Sequence, residues 1–199
     1  TKANASGIWF IYWSWGPNCS KFYNNNTLIR DFIPAKNSSG TIGLYDTVNG
    51  TFYTNSGSGN FTAGPSVTWP SGYTRLEYIE STGTQYISSL TLSRIYSIEA
   101  DVAPTNNGAY HNIYDGENST GQMLWVKSGP ALEWNANSTV AITSGARIKL
   151  RTIANGSTVY GYLNGTQVWS SAEASFGNSW TCTLFNRGGG QGFVGKIYS

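Results

Sequence analysis

Short alternating apolar and polar stretches dominate the chain, broken about every ten residues by Gly, Asn, Ser and Thr clusters, which is the rhythm of an all-β sandwich. The clearest stretch is Arg147 to Ile153. Ile148, Leu150 and Thr152 are expected on one face, and Arg147, Lys149 and Arg151 on the other. Asn155-Gly156 reads as a turn into Thr158–Leu163, and Asn164-Gly165 as a second turn into Gln167-Val168-Trp169, which predicts a three-strand meander. Further strands are expected at Ser97–Val102, Met123–Val126, Ala131–Trp134, Trp180–Phe185 and Phe193–Tyr198, with opening strands between Tyr73 and Ile87. Asn49-Gly50 and Asn107-Gly108 are further tight-turn candidates. Ala172 to Phe176 is the best candidate for a helical turn, and Pro65 to Pro70 reads as a stiff, extended linker. Ile8 to Ser14 matches the pattern of Cys182 to Asn186, so residues 1–20 read as the remnant of a preceding repeat or an added strand.

Composition narrows the function classes. The 199 residues suffice for one large β domain with a real core. Only 11% are charged while 15% are aromatic, so the chain is expected to fold rather than act as a solvated tail. A net charge of +2, with scattered Lys and Arg, gives no footprint for nucleic acid. Ile8 to Trp13 is apolar but too short for membrane insertion. With Thr1 in place of an initiating Met, the sequence reads as a fragment or a processed product. Cys19 and Cys182 fit no zinc or redox motif; buried free thiols are the favoured reading, with a disulfide between them as the alternative that spacing alone does not decide. Asn-x-Ser/Thr triplets, as at Asn4, Asn49, Asn118 and Asn164, read as turn chemistry rather than glycosylation sites.

Longer segments carry a family signal. Tyr73-Thr74-Arg75-Leu76-Glu77-Tyr78-Ile79-Glu80-Ser81-Thr82-Gly83-Thr84-Gln85-Tyr86-Ile87 resembles the opening of a laminin G-like (concanavalin A-like) β-sandwich of phage tail and bacterial surface proteins. The stretch from Lys21 through Arg30-Asp31-Phe32-Ile33-Pro34 to Asn55 resembles the closing piece of the same family, and Tyr162-Leu163-Asn164-Gly165 resembles its middle. In that family the closing piece follows Gly195-Lys196-Ile197-Tyr198-Ser199; here it comes first. The resemblance implies a jelly-roll sandwich, permuted or strand-complemented. Residues 1–67 would hold an N-terminal extension and the closing strands, 68–72 a linker, and 73–199 the opening and middle strands, the two blocks forming one sandwich in cis or with a neighbour.

Catalysis is weighed first because the fold class also hosts glucanases. Glu99 and Asp101, at i and i+2, share a strand face, but the retaining glucanase pattern wants a further Glu where Ala103 stands. His111 and Asp115 have no nucleophile elbow to serve. These carboxylates and the lone His are therefore read as solvated side chains, and no enzyme is expected. The chain is not expected to need a cofactor, although Asp115 and Glu117, beside Asn118, could offer a few oxygens to calcium at a loop. The stronger lead is sugar binding, where rings pack on pyranose faces and polar groups fix hydroxyls. Tyr110, His111, Asn112, Tyr114, Trp125, Trp134 and Arg187 are the candidate ligand residues, with Tyr114 and Arg187 expected to be exposed and at least one Trp in the core. The expectation is a non-catalytic, lectin-like attachment module, extracellular on a phage virion or bacterial surface. Its partner would be a glycan or cell-surface receptor. The rival is a structural repeat of a surface or filament protein that pairs with a neighbour or forms a homo-oligomer through an open strand edge.

Overall fold

The computed structural model describes residues 20–24, 27–67, 73–93, 97–105, 111–117, 123–128, 131–134, 138–155, 158–172, 179–186 and 192–198. The first block supplies β1 (Ser20–Asn24), β2 (Thr27–Lys36), β3 (Ile42–Asp46), β4 (Thr51–Thr54), β5 (Thr62–Ala63) and β6 (Ser66–Val67). Next come β7 (Thr74–Leu76), β8 (Tyr78–Thr82), β9 (Ile87–Ser93), β10 (Ser97–Pro104), β11 (His111–Glu117) and β12 (Met123–Ser128). The remainder is β13 (Ala131–Trp134), β14 (Ser138–Ala141), β15 (Ile148–Asn155), β16 (Thr158–Leu163), β17 (Thr166–Ala172), β18 (Ser179–Leu184) and β19 (Val194–Tyr198). No helix occurs among the described residues. The helical turn expected at Ala172–Phe176 begins on the last residue of β17 and otherwise lies outside the described residues, as do residues 1–19, Cys19 and Asn107-Gly108.

The larger sheet runs β17-β16-β15-β10-β1-β2-β3-β4, with β19, β8, β7, β5 and β6 paired off this path. The smaller runs β14-β13-β12-β11-β18-β9. Every pairing among the described strands is antiparallel, as in β10 with β15 and β11 with β18, so one face of each sheet is free to bury apolar side chains. Phe22, Phe32, Ile98, Leu150, Val159 and Trp169 of the larger sheet join Ile87, Ile113, Tyr114, Leu132 and Leu184 of the smaller in one core. Each such side chain contributes about 1.5–3 kcal/mol by leaving water. Phe22, edge-on to Phe32 at 5.8 Å between centroids, has no exposed surface, so its loss would cost about 3–5 kcal/mol.

The predicted meander is present. Ile148, Leu150 and Thr152 are buried together, while Lys149 and Arg151 are only partly covered. Asn164 (φ 49°) and Gly165 (φ 86°) take the paired positive φ values that a two-residue hairpin requires. The Asn49-Gly50 turn differs from expectation. The last rung pairs Asp46 with Thr51, so residues 47–50 form a four-residue loop with Gly50 at φ 67°. Asp46 builds it: Oδ1 accepts from Val48 N at 3.1 Å and Asp31 N at 3.2 Å, and Oδ2 accepts from Asn49 Nδ2 at 2.7 Å. Arg30 Nε, 3.4 Å from Oδ2, balances this fully buried carboxylate.

Hydrogen bonds cross between the blocks. β1 lies between β10 and β2, β2 also pairs with β7, and β5 pairs with β8. Two residues of the expected Pro65–Pro70 linker are strand instead: Ser66 and Val67 form β6, which pairs with β7, and Glu77 N donates to Pro65 O at 2.7 Å. The remainder, 68–72, lies outside the described residues.

Candidate functional site

The strands that carry the expected ligand residues are neighbours in the smaller sheet. Asp115 pairs with Trp125, while Tyr114 pairs with Val126, which pairs with Trp134. The two tryptophans thus sit on successive rungs of the smaller sheet. Tyr110 and Arg187 lie outside the described residues, and His111, Asp115, Glu117, Trp125 and Trp134 are described in backbone only.

Two of the expected ligand residues are corrected. Asn112 has no exposed surface, and Tyr114 is 2% exposed. The Tyr114 hydroxyl shares a 2.9 Å hydrogen bond with Thr152 Oγ1 of the opposite sheet. A buried phenol needs such a partner, and Thr152 in the Ile148–Leu150 stripe supplies it. The reason lies in a bulge: Asn112 faces Lys127 and Tyr114 faces Val126, so Ile113 is an extra residue. Its carbonyl accepts from Phe185 N at 2.9 Å, and Phe185 itself holds φ 70°, rare for a bulky residue. Alternation fails locally, and Asn112, Ile113 and Tyr114 are all buried. Both side chains, Asn112 and Tyr114, are buried within the sandwich rather than exposed on its surface.

The carboxylates of β10 are engaged rather than solvated. Arg147 grips Asp101 with both arms, Nε to Oδ1 at 2.8 Å and Nη2 to Oδ2 at 3.0 Å, and Lys149 Nζ lies 3.8 Å from Oδ2. Asp101 is only 6% exposed. Its hydrogen bond to Arg147 raises the guanidinium pKa further, against the opposing effect of burial. The same guanidinium lies 4.1 Å from the centroid of the Tyr198 ring. Glu99 Oε1 meets Arg151 Nε at 3.2 Å. Among the described residues no group of three or more His, Cys, Asp and Glu side chains could hold a metal.

A candidate site that the sequence reading did not include is a cleft of about 610 Å³ at the rim of the larger sheet. Its floor includes Ile42 and Phe61; its walls are Ser39, Gly40, Thr41, Thr54, Asn55, Gly57, Gly59 and Asn60. One wall is the turn between β2 and β3. Asn37 Oδ1 accepts from Ser39 N at 3.1 Å, Ser39 Oγ at 2.8 Å and Thr41 N at 2.9 Å. The other wall is the loop after β4, organised by Asn55. Its Nδ2 donates to Gly57 O, Ser58 O and Gly59 O, the last at 2.8 Å. Its Oδ1 accepts from Gly57 N at 2.8 Å and Tyr86 N at 3.0 Å. Gly57 packs so tightly on the Thr84 carbonyl that a Cβ there would clash. Buried Gln85 locks the loop from behind: Oε1 accepts from Thr82 N at 2.8 Å, and Nε2 donates to Ser58 O at 3.4 Å. The loop is therefore held by both blocks. The missed signal was the run Asn55-Ser56-Gly57-Ser58-Gly59-Asn60, too polar and glycine-rich for a strand.

The cleft lining carries no charged side chain. It offers hydroxyls, amides and peptide groups over a small apolar floor, a surface suited to a neutral, hydroxyl-rich ligand.

No protein-family model matches the chain, and no curated protein matches it. Among solved structures, domain 4 of AbnA, a GH43 extracellular arabinanase from Geobacillus stearothermophilus, in complex with arabinotriose, is similar at TM-score 0.55 and 15% identity, over 92% of this chain and 89% of that one. The fold is a jelly-roll β-sandwich. Weaker likenesses are the carbohydrate-binding module CBM66 from Bacillus subtilis and the enzymatically active domain of tailspike protein 2 from bacteriophage CBA120. The first has TM-score 0.39 and 15% identity, over 70% of this chain and 91% of that one. The second has TM-score 0.44 and 16% identity, over 73% of this chain and 29% of that one. The fold assignment rests on the first of the three structures.

Proposed function

We propose that this chain is a non-catalytic glycan-binding module of the laminin G-like type that takes a neutral oligosaccharide in the rim cleft. The observation that carries this reading is the cleft itself: about 610 Å³, lined without charge, its polar walls fixed by Asn55 and Gln85. Such a cleft is within the volume range of sites for small ligands, and walls already in place reduce the entropy lost on binding. Thr54 and Asn60 lie exposed at its lip, where hydroxyl and amide can meet sugar hydroxyls. Catalysis is assigned no role because the paired carboxylates of β10 are tied to Arg147 and Arg151. A general acid needs a carboxyl able to hold and release a proton beside the scissile bond. The setting we propose is attachment outside the cell, on a phage tail or bacterial surface, with a surface glycan as receptor.

A glycan array on the intact chain, with arabinotriose as the first soluble probe, tests the reading. The choice of probe follows the ligand of the arabinanase domain with the similar fold. Binding without release of reducing sugar is the expected result. Turnover of any bound glycan, or array binding confined to charged glycans, would overturn it.

A further inference from the structure

One edge of β10 pairs with β15 from Ser97 to Val102. The other edge is shared by two strands far apart in sequence. Pro104, Ala103 and Val102 pair with Gly195, Lys196 and Ile197 of β19. Ala100, Glu99, Ile98 and Ser97 pair with Ser20, Lys21, Phe22 and Tyr23 of β1. Both strands are antiparallel to β10, so they run in the same direction, one behind the other. Pairing to β19 stops at Val102 and pairing to β1 starts at Ala100, so the two strands form a single strand line cut at Asp101. The flanking strands repeat the pattern, with Tyr198 paired to Tyr78 of β8 and Ser20 to Phe32 of β2.

The block carrying β1 is held across this line by side-chain complementarity. Phe22 packs in one core with Ile98 and Ala100. Lys21 shares its rung with Glu99 on one side and Asp31 on the other, opposite charges on both neighbours. Residues 68–72 alone join the block to the rest of the chain. Residues 20–67 are too few to bury a core of their own, and without them the β10 edge from Ser97 to Ala100 is left unpaired. An element that is central to a sheet, dependent on it and joined by one short segment can be exchanged between copies with every contact kept except those of the connection.

We propose that the junction of β19 and β1 is a strand-exchange interface, at which residues 20–67 of one copy of this chain complete the β10 edge of a second copy. The occupant is a second copy because the edge matches β1 rung by rung in shape and charge. The head-to-tail direction at the junction lets successive exchanges propagate into an open chain, while reciprocal exchange closes a dimer.

Disulfide trapping in the full chain tests this. Lys21→Cys with Glu99→Cys, in a Cys19→Ser, Cys182→Ser background, places thiols on one rung, where Cα spacing suits a disulfide. A tagged and an untagged copy are unfolded together, refolded over a range of concentrations, oxidised and run on a non-reducing denaturing gel. The expected result is bands at two or more chain masses, a mixed tagged–untagged band among them, growing with concentration. Arg151→Cys with Glu99→Cys, both outside the exchanging block, gives a single-chain band as control. A 21–99 bond formed only within one chain at every concentration overturns the proposal. Should the pair not oxidise, light scattering on the unmutated chain decides: a doubled mass at high concentration supports exchange, and a single-chain mass throughout overturns it.

Discussion

Along β10, Glu99 meets Arg151 of β15 and Asp101 meets Arg147 just before it, so each charge is taken up by its neighbour. At the rim cleft, Asn55 and Gln85 spend their amides on backbone groups behind the wall, and no charged side chain joins the lining. Both regions are polar and both belong to the larger sheet, yet one closes on itself while the other holds a concave surface open. A polar cluster is evidence of a site when its bonds go backward into the scaffold and its lip stays accessible. When its bonds run sideways between its own members, it is structure. The most suggestive carboxylates in the chain therefore make the weaker case for function.

The comparison breaks most readily at Asn55. Asn55→Ala removes five hydrogen bonds from the cleft wall. It should cost about 3 kcal/mol, or roughly 6–12 °C in melting temperature, and abolish glycan binding. A thermal melt and a titration on the same sample check both. Tyr114→Phe is the sharper control. Losing the bond to Thr152 should cost about 1–2 kcal/mol in chemical denaturation, with affinity unchanged. A loss of affinity at wild-type stability would restore Tyr114 as a ligand residue. Glu99→Gln breaks a partly exposed pair with Arg151 and should cost under about 1 kcal/mol, with glycan binding intact.

The smallest effect is alkaline. Burial pushes the Tyr23 phenol up to about 12, assisted by Glu99 and opposed by Arg151. A folded pKa above the unfolded value means that the folded state holds its proton longer. The Tyr23 contribution is therefore fully present below about pH 10, its unfolded value, and is lost as pH rises from there through the folded pKa. Stability should fall across that window, and Tyr23→Phe should make the fall shallower. An equal slope in the variant would remove Tyr23 from the account.

The sheet architecture was legible where period and turn chemistry agreed. The stripe Ile148, Leu150, Thr152 and the Asn164-Gly165 turn needed no tertiary knowledge. The failures have a common origin in long-range bonding. The bulge at Ile113 shifts parity between Asn112 and Tyr114, and its carbonyl is answered by Phe185, far away in sequence. Asn49-Gly50 looked like a complete turn, but Asp46 and Arg30 shape the loop. The cleft was harder still. Its turn at Asn37, its loop at Asn55 and its brace at Gln85 come from three segments, each reading locally as ordinary turn chemistry. Pairings between the blocks, among them β2 with β7 and β5 with β8, bring the first block and these braces together.

The central claim is that the neutral rim cleft, and not the β11–β13 region, receives the glycan. The most direct test is a backbone and side-chain amide shift map of the isotope-labelled chain, titrated with the best array ligand or with arabinotriose. The account predicts the largest saturating shifts at Thr41, Thr54, Asn60 and the side-chain amide of Asn55, with little change along β11, β12 and β13. Saturating shifts centred on His111–Glu117 and Trp125, with the cleft silent, would contradict it.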